Sequence, residues 1–320
     1  MASLLHRKLL VLTGKGGVGK TTVSAALGLL AADRGLRTIV VEVGEQRRLA
    51  ELFGVRSEDT GAETELRQNL WSISIDPDRA LLEWLQSLGG RVSGRVLASS
   101  GTFQYFAAAA PGAKELISMV KIWKLTGSRQ GERKRSGGYD LVILDAPATG
   151  HALGMLHSPQ TFGAIARVGP IASQTKQVGE LLSDPARSGY LAVALPTEMA
   201  VTEALELQDG LRRQIDRSLQ AVIVNGTLPR RFSAAELARI DGLDGAAPLD
   251  GGGRRDGSNS ITRSAALAAR AVHDRANFQH NQLARLRRRD FEVHSLPFLF
   301  VPEVDLPAIE QLSAHLSRWV

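Results

Sequence analysis

The sequence predicts an α/β fold, a doubly wound and mainly parallel sheet with a helical insertion, on two observations. Short runs rich in Val, Ile and Leu recur along the chain, and most are continuously apolar, as strands covered on both faces are. Segments of helical periodicity separate them, the alternation that builds a parallel sheet with crossover helices. The expected strands are Lys8 to Thr13, Thr38 to Val43, Trp71 to Ile75, Asp140 to Leu144, Leu191 to Leu195, Ala221 to Val224 and Phe291 to Leu296. Between Asp76 and Gly127 no strand-like run occurs, so about 76–127 reads as a helical insertion punctuated by Gly89-Gly90 and Pro111-Gly112. Residues 241–260 are dense in Gly and Asp and nearly free of large apolar side chains, which predicts a mobile loop. Near the C-terminus, Leu306, Ile309, Leu312 and Leu316 fall on one helical face and read as core.

Composition narrows the possibilities. At 320 residues, with 43% apolar and 22% charged residues, the chain can bury a sizeable core. Its length allows about two domains, yet one α/β domain also reaches this size, and a single domain over 1–320 is the expectation. The absence of Cys excludes a disulfide framework, a thiolate metal clip and a thiol nucleophile. No apolar run approaches the roughly 18 residues of a membrane span, and Met1 to His6 leads straight into a strand without a signal-type apolar region. A cytoplasmic protein with no stable span is expected. The net charge of +6 sits largely in patches at Arg129 to Arg135, Arg254-Arg255 and Arg285 to Arg289. No aromatic residues interleave with them as on a nucleic-acid stacking surface, so solvated faces are expected rather than a nucleic-acid partner.

Chemistry concentrates at Gly14-Lys15-Gly16-Gly17-Val18-Gly19-Lys20-Thr21, which satisfies the P-loop pattern directly between an apolar strand and a helical run. Glycines let consecutive N–H groups turn toward phosphate oxygens, and the helix N-terminus adds partial positive charge. Lys20 is expected to reach the β- and γ-phosphates, and Thr21 to place its hydroxyl on Mg²⁺, with Thr22 beside them. Asp145 ends the next central strand, where an acid holds Mg²⁺ through one of the metal's waters. The fold class thereby becomes a P-loop NTPase sheet with ATP and Mg²⁺ as expected ligands. His151, after Pro147 and Gly150, is either a polar residue at the end of this loop or a participant in it.

The second lysine in the loop, Lys15, and the stretch Asp145-Ala146-Pro147-Ala148-Thr149-Gly150-His151 resemble the ArsA family of deviant Walker A ATPases. That family includes the arsenite-pump ATPase and the eukaryotic ATPase that delivers tail-anchored membrane proteins. The resemblance extends over most of the chain. It implies that Asn225 reads the adenine, that Pro297 and Phe298 lie near the base, and that Lys15 reaches across a nucleotide-sandwich dimer to the partner's phosphates. A homodimer and a heterodimer with a paralogous ATPase both fit, as does a protein client.

This chain departs from the family in three ways. Without Cys it can form neither the zinc clip nor the thiolate metalloid site of the two named relatives. The switch I segment, which in the family usually contains Asp-Pro-Ala, reads Val41-Glu42-Val43-Gly44-Glu45-Gln46-Arg47, with Gly44 at the position of the water-orienting Asp. It resembles a bacterial branch whose second strand ends in Val-Glu-Val, and Glu42 or Glu45 is the candidate replacement acid. Four Met in the chain are few for a Met-lined client groove. In the insertion, Leu116, Val120 and Trp123 share a face that Met119, Ile122 and Leu125 widen, suited to burial or to a partner groove. Three readings stay open: an ATPase coupling a dimer switch to a client, a weakly hydrolysing partner of an active paralogue, and a positioning ATPase of the MinD or ParA kind.

Overall fold

A computed structural model describes residues 4–44, 47–56, 61–88, 112–127, 138–165, 169–245 and 257–319. In chain order the elements are β1 (Leu9–Thr13), α1 (Lys20–Asp33), β2 (Thr38–Val43), α2 (Arg48–Leu52), β3 (Thr64–Arg67), β4 (Leu70–Ile75), α3 (Pro77–Leu88) and α4 (Ala113–Leu125). They continue with β5 (Leu141–Asp145), α5 (Thr149–Ile165), α6 (Gly169–Ser183), β6 (Ser188–Ala194), α7 (Glu198–Ile215), β7 (Ala221–Thr227), α8 (Ala234–Gly245), α9 (Gly257–Leu286), β8 (Glu292–Pro297) and α10 (Leu306–Leu316).

The strands form one sheet in the order β3-β4-β2-β5-β1-β6-β7-β8, parallel throughout except for the antiparallel pair β3–β4. From β1 the chain crosses to β2 on one side and later returns to β6 on the other, so the C-terminal ends of β1, β5 and β2 face the crevice where an open α/β sheet binds its ligand. Every residue of β1 and β6 is buried, the polar Thr13 and Ser188 at their ends as well as the apolar runs Leu9 to Leu12 and Tyr190 to Ala194. α1, rich in Ala and Leu and buried from Val23 to Ala32, lies between the sheet and α10. There Ile309, Leu312 and Leu316 join the core as their spacing predicts, each Leu contributing about 1.5–3 kcal/mol by leaving water. Among the described residues, side chains cap helix starts at Thr197, Ser233 and Asp305, which accept from the N–H groups of Ala200, Glu236 and Ala308.

Two differences from the sequence reading have local causes. β3, Thr-Glu-Leu-Arg, offers a single buried apolar residue because it is an edge strand turned back on β4 through Asn69, whose φ is 63°. The predicted mobile loop over 241–260 is helical at both ends: α8 runs to Gly245 and α9 begins at Gly257, while 246–256 lie outside the described residues. In the insertion, Leu116, Met119, Val120, Ile122 and Trp123 are all buried, packed in a cluster of α3, α4, α5 and α6. That face is core and not an open groove; residues 89–111 of the same segment lie outside the described residues.

Candidate functional site

The loop after β1 is shaped by what surrounds it. Gly19 caps α1 with φ 88°, a left-handed conformation, and any Cβ there would collide with the side-chain amide of Asn225. No side chain caps α1, so its first N–H groups point into the space above the loop. Lys20 Nζ donates to the carbonyls of Gly14 at 3.1 Å and Lys15 at 3.0 Å, folding the side chain back over its own loop. Burial lowers the Lys20 pKa, and the Asp145 carboxylate partly restores it.

Asp145 ends β5 between Leu12 of β1 and Glu42 of β2 in register. Its carboxylate accepts from Thr21 Oγ1 at 2.6 Å and from Ser24 Oγ at 3.4 Å. Burial raises its pKa, and the Thr21 bond and the nearby Lys20 oppose the rise. A hydroxyl and a carboxylate held together at a loop built for phosphate are hard oxygen donors, the set that suits Mg²⁺. Lys20, Thr21, Thr22 and Asp145 line a cleft of roughly 650 Å³ whose other wall is α2, with Arg48 and Glu51. Gly17, Gly19 and Val304 also line it.

Glu42 opens into the same cleft yet is only 7% exposed. Both carboxyl oxygens lie 3.4 Å from the Leu49 N–H, and burial pushes its pKa up to about 7. Gly44 has φ 123°, its N–H bonds the Ile75 carbonyl at 2.9 Å and its own carbonyl accepts from Ser74 Oγ at 2.5 Å. The turn therefore selects glycine where the family's Asp is usual. The alternative acid, Glu45, lies outside the described residues.

Lys15 faces away from this cleft. Its Nζ lies 2.5 Å from Glu203 Oε1 and 2.7 Å from Met199 Sδ, both on α7. Lys15 and Gly16 line a second pocket of roughly 680 Å³ with Thr149, Glu203, Glu206 and Arg213. Thr149 Oγ1 is buried there without a hydrogen-bond partner. His151, two residues on, is exposed on the first turn of α5.

On the β7 and β8 side, Asn225 Nδ2 donates to the Val18 carbonyl at 3.1 Å, joining β7 to the loop. Pro297 ends β8, and Phe298, 48% exposed, meets Phe300 edge-on at 4.9 Å, with Arg231 over the Phe300 ring. The fold thus gathers Gly14 to Thr22, Glu42, Asp145 and Asn225 at one end of the sheet. Arg48 and Glu203 were missed by sequence reasoning. Arg48 carried a signal, a basic pair beginning a helix just after the switch I turn; Glu203 carried none, because only the tertiary fold brings α7 to the loop.

Comparison with known proteins adds to this geometry. A family model described as "Anion-transporting ATPase" matches residues 7–172, just over half of the chain. The protein named ATPase BagA of Mycobacterium tuberculosis is 32% identical over 239 residues, covering 72% of this chain and 68% of that protein. The protein named ATPase get3 of Botryotinia fuckeliana is 29% identical over 208 residues, 63% of this chain and 55% of that one. Its namesake in Sclerotinia sclerotiorum matches to the same extent.

Proposed function

Because the chain belongs to the anion-transporting ATPase family and is a P-loop enzyme that hydrolyses ATP, we propose that it couples a nucleotide-dependent dimer switch to a partner or client protein. The observation that carries the nucleotide site is the 2.6 Å bond between Thr21 and Asp145 beside Lys20, at the mouth of an uncapped helix. Thr21 and Asp145 are the residues that would hold Mg²⁺, Asp145 through water, and the ion when bound offsets charge on the β- and γ-phosphates. The loop N–H groups and Lys20 bind and orient the triphosphate so that a water lies in line with the γ-phosphorus. Hydrolysis joins that water's oxygen to the γ-phosphorus and breaks the bond to the bridging oxygen of ADP. Asn225, Pro297 and Phe298 fit a base site, an amide beside exposed aromatic surface.

Lys15 is the residue proposed to cross to the partner, its ammonium meeting charge on the partner's γ-phosphate. Glu42 is proposed to orient the attacking water, supported by its place in the cleft next to Asp145. Residues 1–320 are proposed to act as one unit, with α3 and α4 forming part of the insertion. Gly44 favours one refinement: with no carboxylate at that position, basal turnover is slow and a partner raises it. Among the described residues no helix is long and apolar enough to cross a membrane.

Phosphate release measured against Mg²⁺ concentration tests the site. Thr21→Ala and Asp145→Asn should both lose Mg²⁺-dependent turnover by at least about tenfold, as for loss of a charge-assisted contact. Wild-type rates in both would reject it. Sedimentation with a non-hydrolysable ATP analogue tests the dimer, and a monomer at every concentration would reject that part.

A further inference from the structure

The phosphate cleft holds a cation that neither the loop motif nor the family resemblance explains. Arg48 is the first residue of α2, and it lines the cleft across from Lys20, Thr21 and Asp145. Its side chain is exposed, but its backbone is anchored. The next two residues, Leu49 and Ala50, are 0% and 4% exposed, and the Leu49 N–H faces the Glu42 carboxyl. A charged fork is thus carried on a fixed base at the cleft rim.

The charges around the cleft show what that fork could serve. Among the described lining residues, Glu42, Glu51 and Asp145 are acidic, and only Lys20 and Arg48 are basic. Lys15 does not line this cleft and is occupied by Glu203 on the other side of the loop. Lys20 is folded onto the Gly14 and Lys15 carbonyls deep in the loop. A triphosphate entering this space adds negative charge that is greatest at its terminal phosphate, and among the described lining residues the other cation is Arg48.

We propose that Arg48 contacts the γ-phosphate of ATP bound in its own chain, where it selects ATP over ADP and stabilises the charge that develops during hydrolysis. The planar guanidinium can give two parallel N–H bonds to one phosphate, which an ammonium cannot. An exposed fork on a fixed helix start reaches its ligand only when the third phosphate is present. This inference rests on the cleft being the ATP site and adds to it a cation supplied in cis, separate from Lys15.

The experiment compares wild type with Arg48→Ala, Arg48→Lys, Arg56→Ala and Lys20→Ala. It measures affinity for ADP and for a non-hydrolysable ATP analogue by competition, together with kcat at one protein concentration. Arg56 is exposed, lies beyond α2 and does not line the cleft, so Arg56→Ala should match wild type. Arg48→Ala should keep ADP affinity within about twofold, lose about tenfold for the ATP analogue, and lose about a hundredfold in kcat. Arg48→Lys should fall between it and wild type. Equal weakening of ADP and the analogue would show a merely structural role and overturn the proposal, as would an ATP preference and kcat within about twofold of wild type. Nucleotide binding that survives unchanged in Lys20→Ala would instead remove the cleft assignment itself, and the Arg48 contact with it.

Discussion

Two lysines five residues apart on one loop live in opposite surroundings. Lys20 turns inward, held by two carbonyls of its own loop, half-buried, beside the Thr21–Asp145 pair. Lys15 turns outward and is paired with Glu203 of α7, next to a pocket of mixed charge and the unpartnered hydroxyl of Thr149. Carbonyls offer no full charge, so Lys20 keeps its attraction for an arriving phosphate. A carboxylate does offer one, so to act as proposed Lys15 must exchange a partner it already has. In the proposed mechanism the same residue type is therefore a permanent part of a binding site on one side of the loop and an exchangeable contact on the other.

The comparison is broken most severely by Lys20→Ala, which should abolish ATP binding or turnover, because the β- and γ-phosphates lose their main countercharge inside the loop. Equilibrium binding and phosphate release check this, and normal values would sink the assignment of the loop. Lys15→Ala should bind ATP with near-normal affinity yet hydrolyse it about 10³- to 10⁵-fold more slowly, by analogy with an arginine finger. Wild-type specific activity should rise with protein concentration; a rate independent of concentration and of Lys15 rules out the contribution in trans.

Next in size is a pH effect on the Lys20 side. Glu42, raised by burial from an ordinary 4.5 to about 7, keeps its proton in the folded chain where the unfolded chain has released it. Its stabilising contribution is full below about pH 4.5 and is lost as pH rises through about 7. Unfolding free energy of wild type relative to Glu42→Gln should fall by up to about 3 kcal/mol across that window. Denaturant titrations at pH 5 and pH 8 read the difference, and a constant offset contradicts it. The smallest effect belongs to the partly exposed Lys15–Glu203 pair, worth less than about 1 kcal/mol. Glu203→Gln should move the protein concentration of half-maximal turnover downward by about two- to fivefold, and an upward shift would mean that Glu203 assists dimer formation.

Much of this was legible in the sequence because it is local. The P-loop pattern, the acid at the end of β5 and the unbroken apolar strands each follow from neighbours in the chain, and the observed strands shift from the expected limits by only a few residues. The edge strand β3 was not legible, since one inward Leu66 gives no periodicity to detect. Nor was the cis partner of Lys15, because a Glu on a helical surface reads as solvated until the fold brings α7 alongside the loop. The helical ends of 241–260 were hidden for a further reason: Gly and Asp weigh against a helix individually, yet α8 and α9 extend into the segment from well-formed neighbours. Gly44 was noticed as a missing acid, but its backbone reason, a left-handed turn bonded to Ile75 and Ser74, exists only in three dimensions.

The long helix α9 adds a mechanical consequence. Its thirty residues span about 45 Å at 1.5 Å each. Near its C-terminal end, Arg285 reaches Thr202 of α7 at 3.4 Å, one residue from the carboxylate that holds Lys15. Its opposite half carries exposed Ile261 and Leu267 away from the sheet. A long rod magnifies displacement: if it pivots at the α7 contact, a tilt of about 10° sweeps its far tip, together with α8 packed against it, through about 8 Å over that length. On the proposed exchange of Lys15 between partners, a rearrangement of α7 would thereby be geared up into a stroke as long as a side chain, delivered at a surface remote from the phosphate loop.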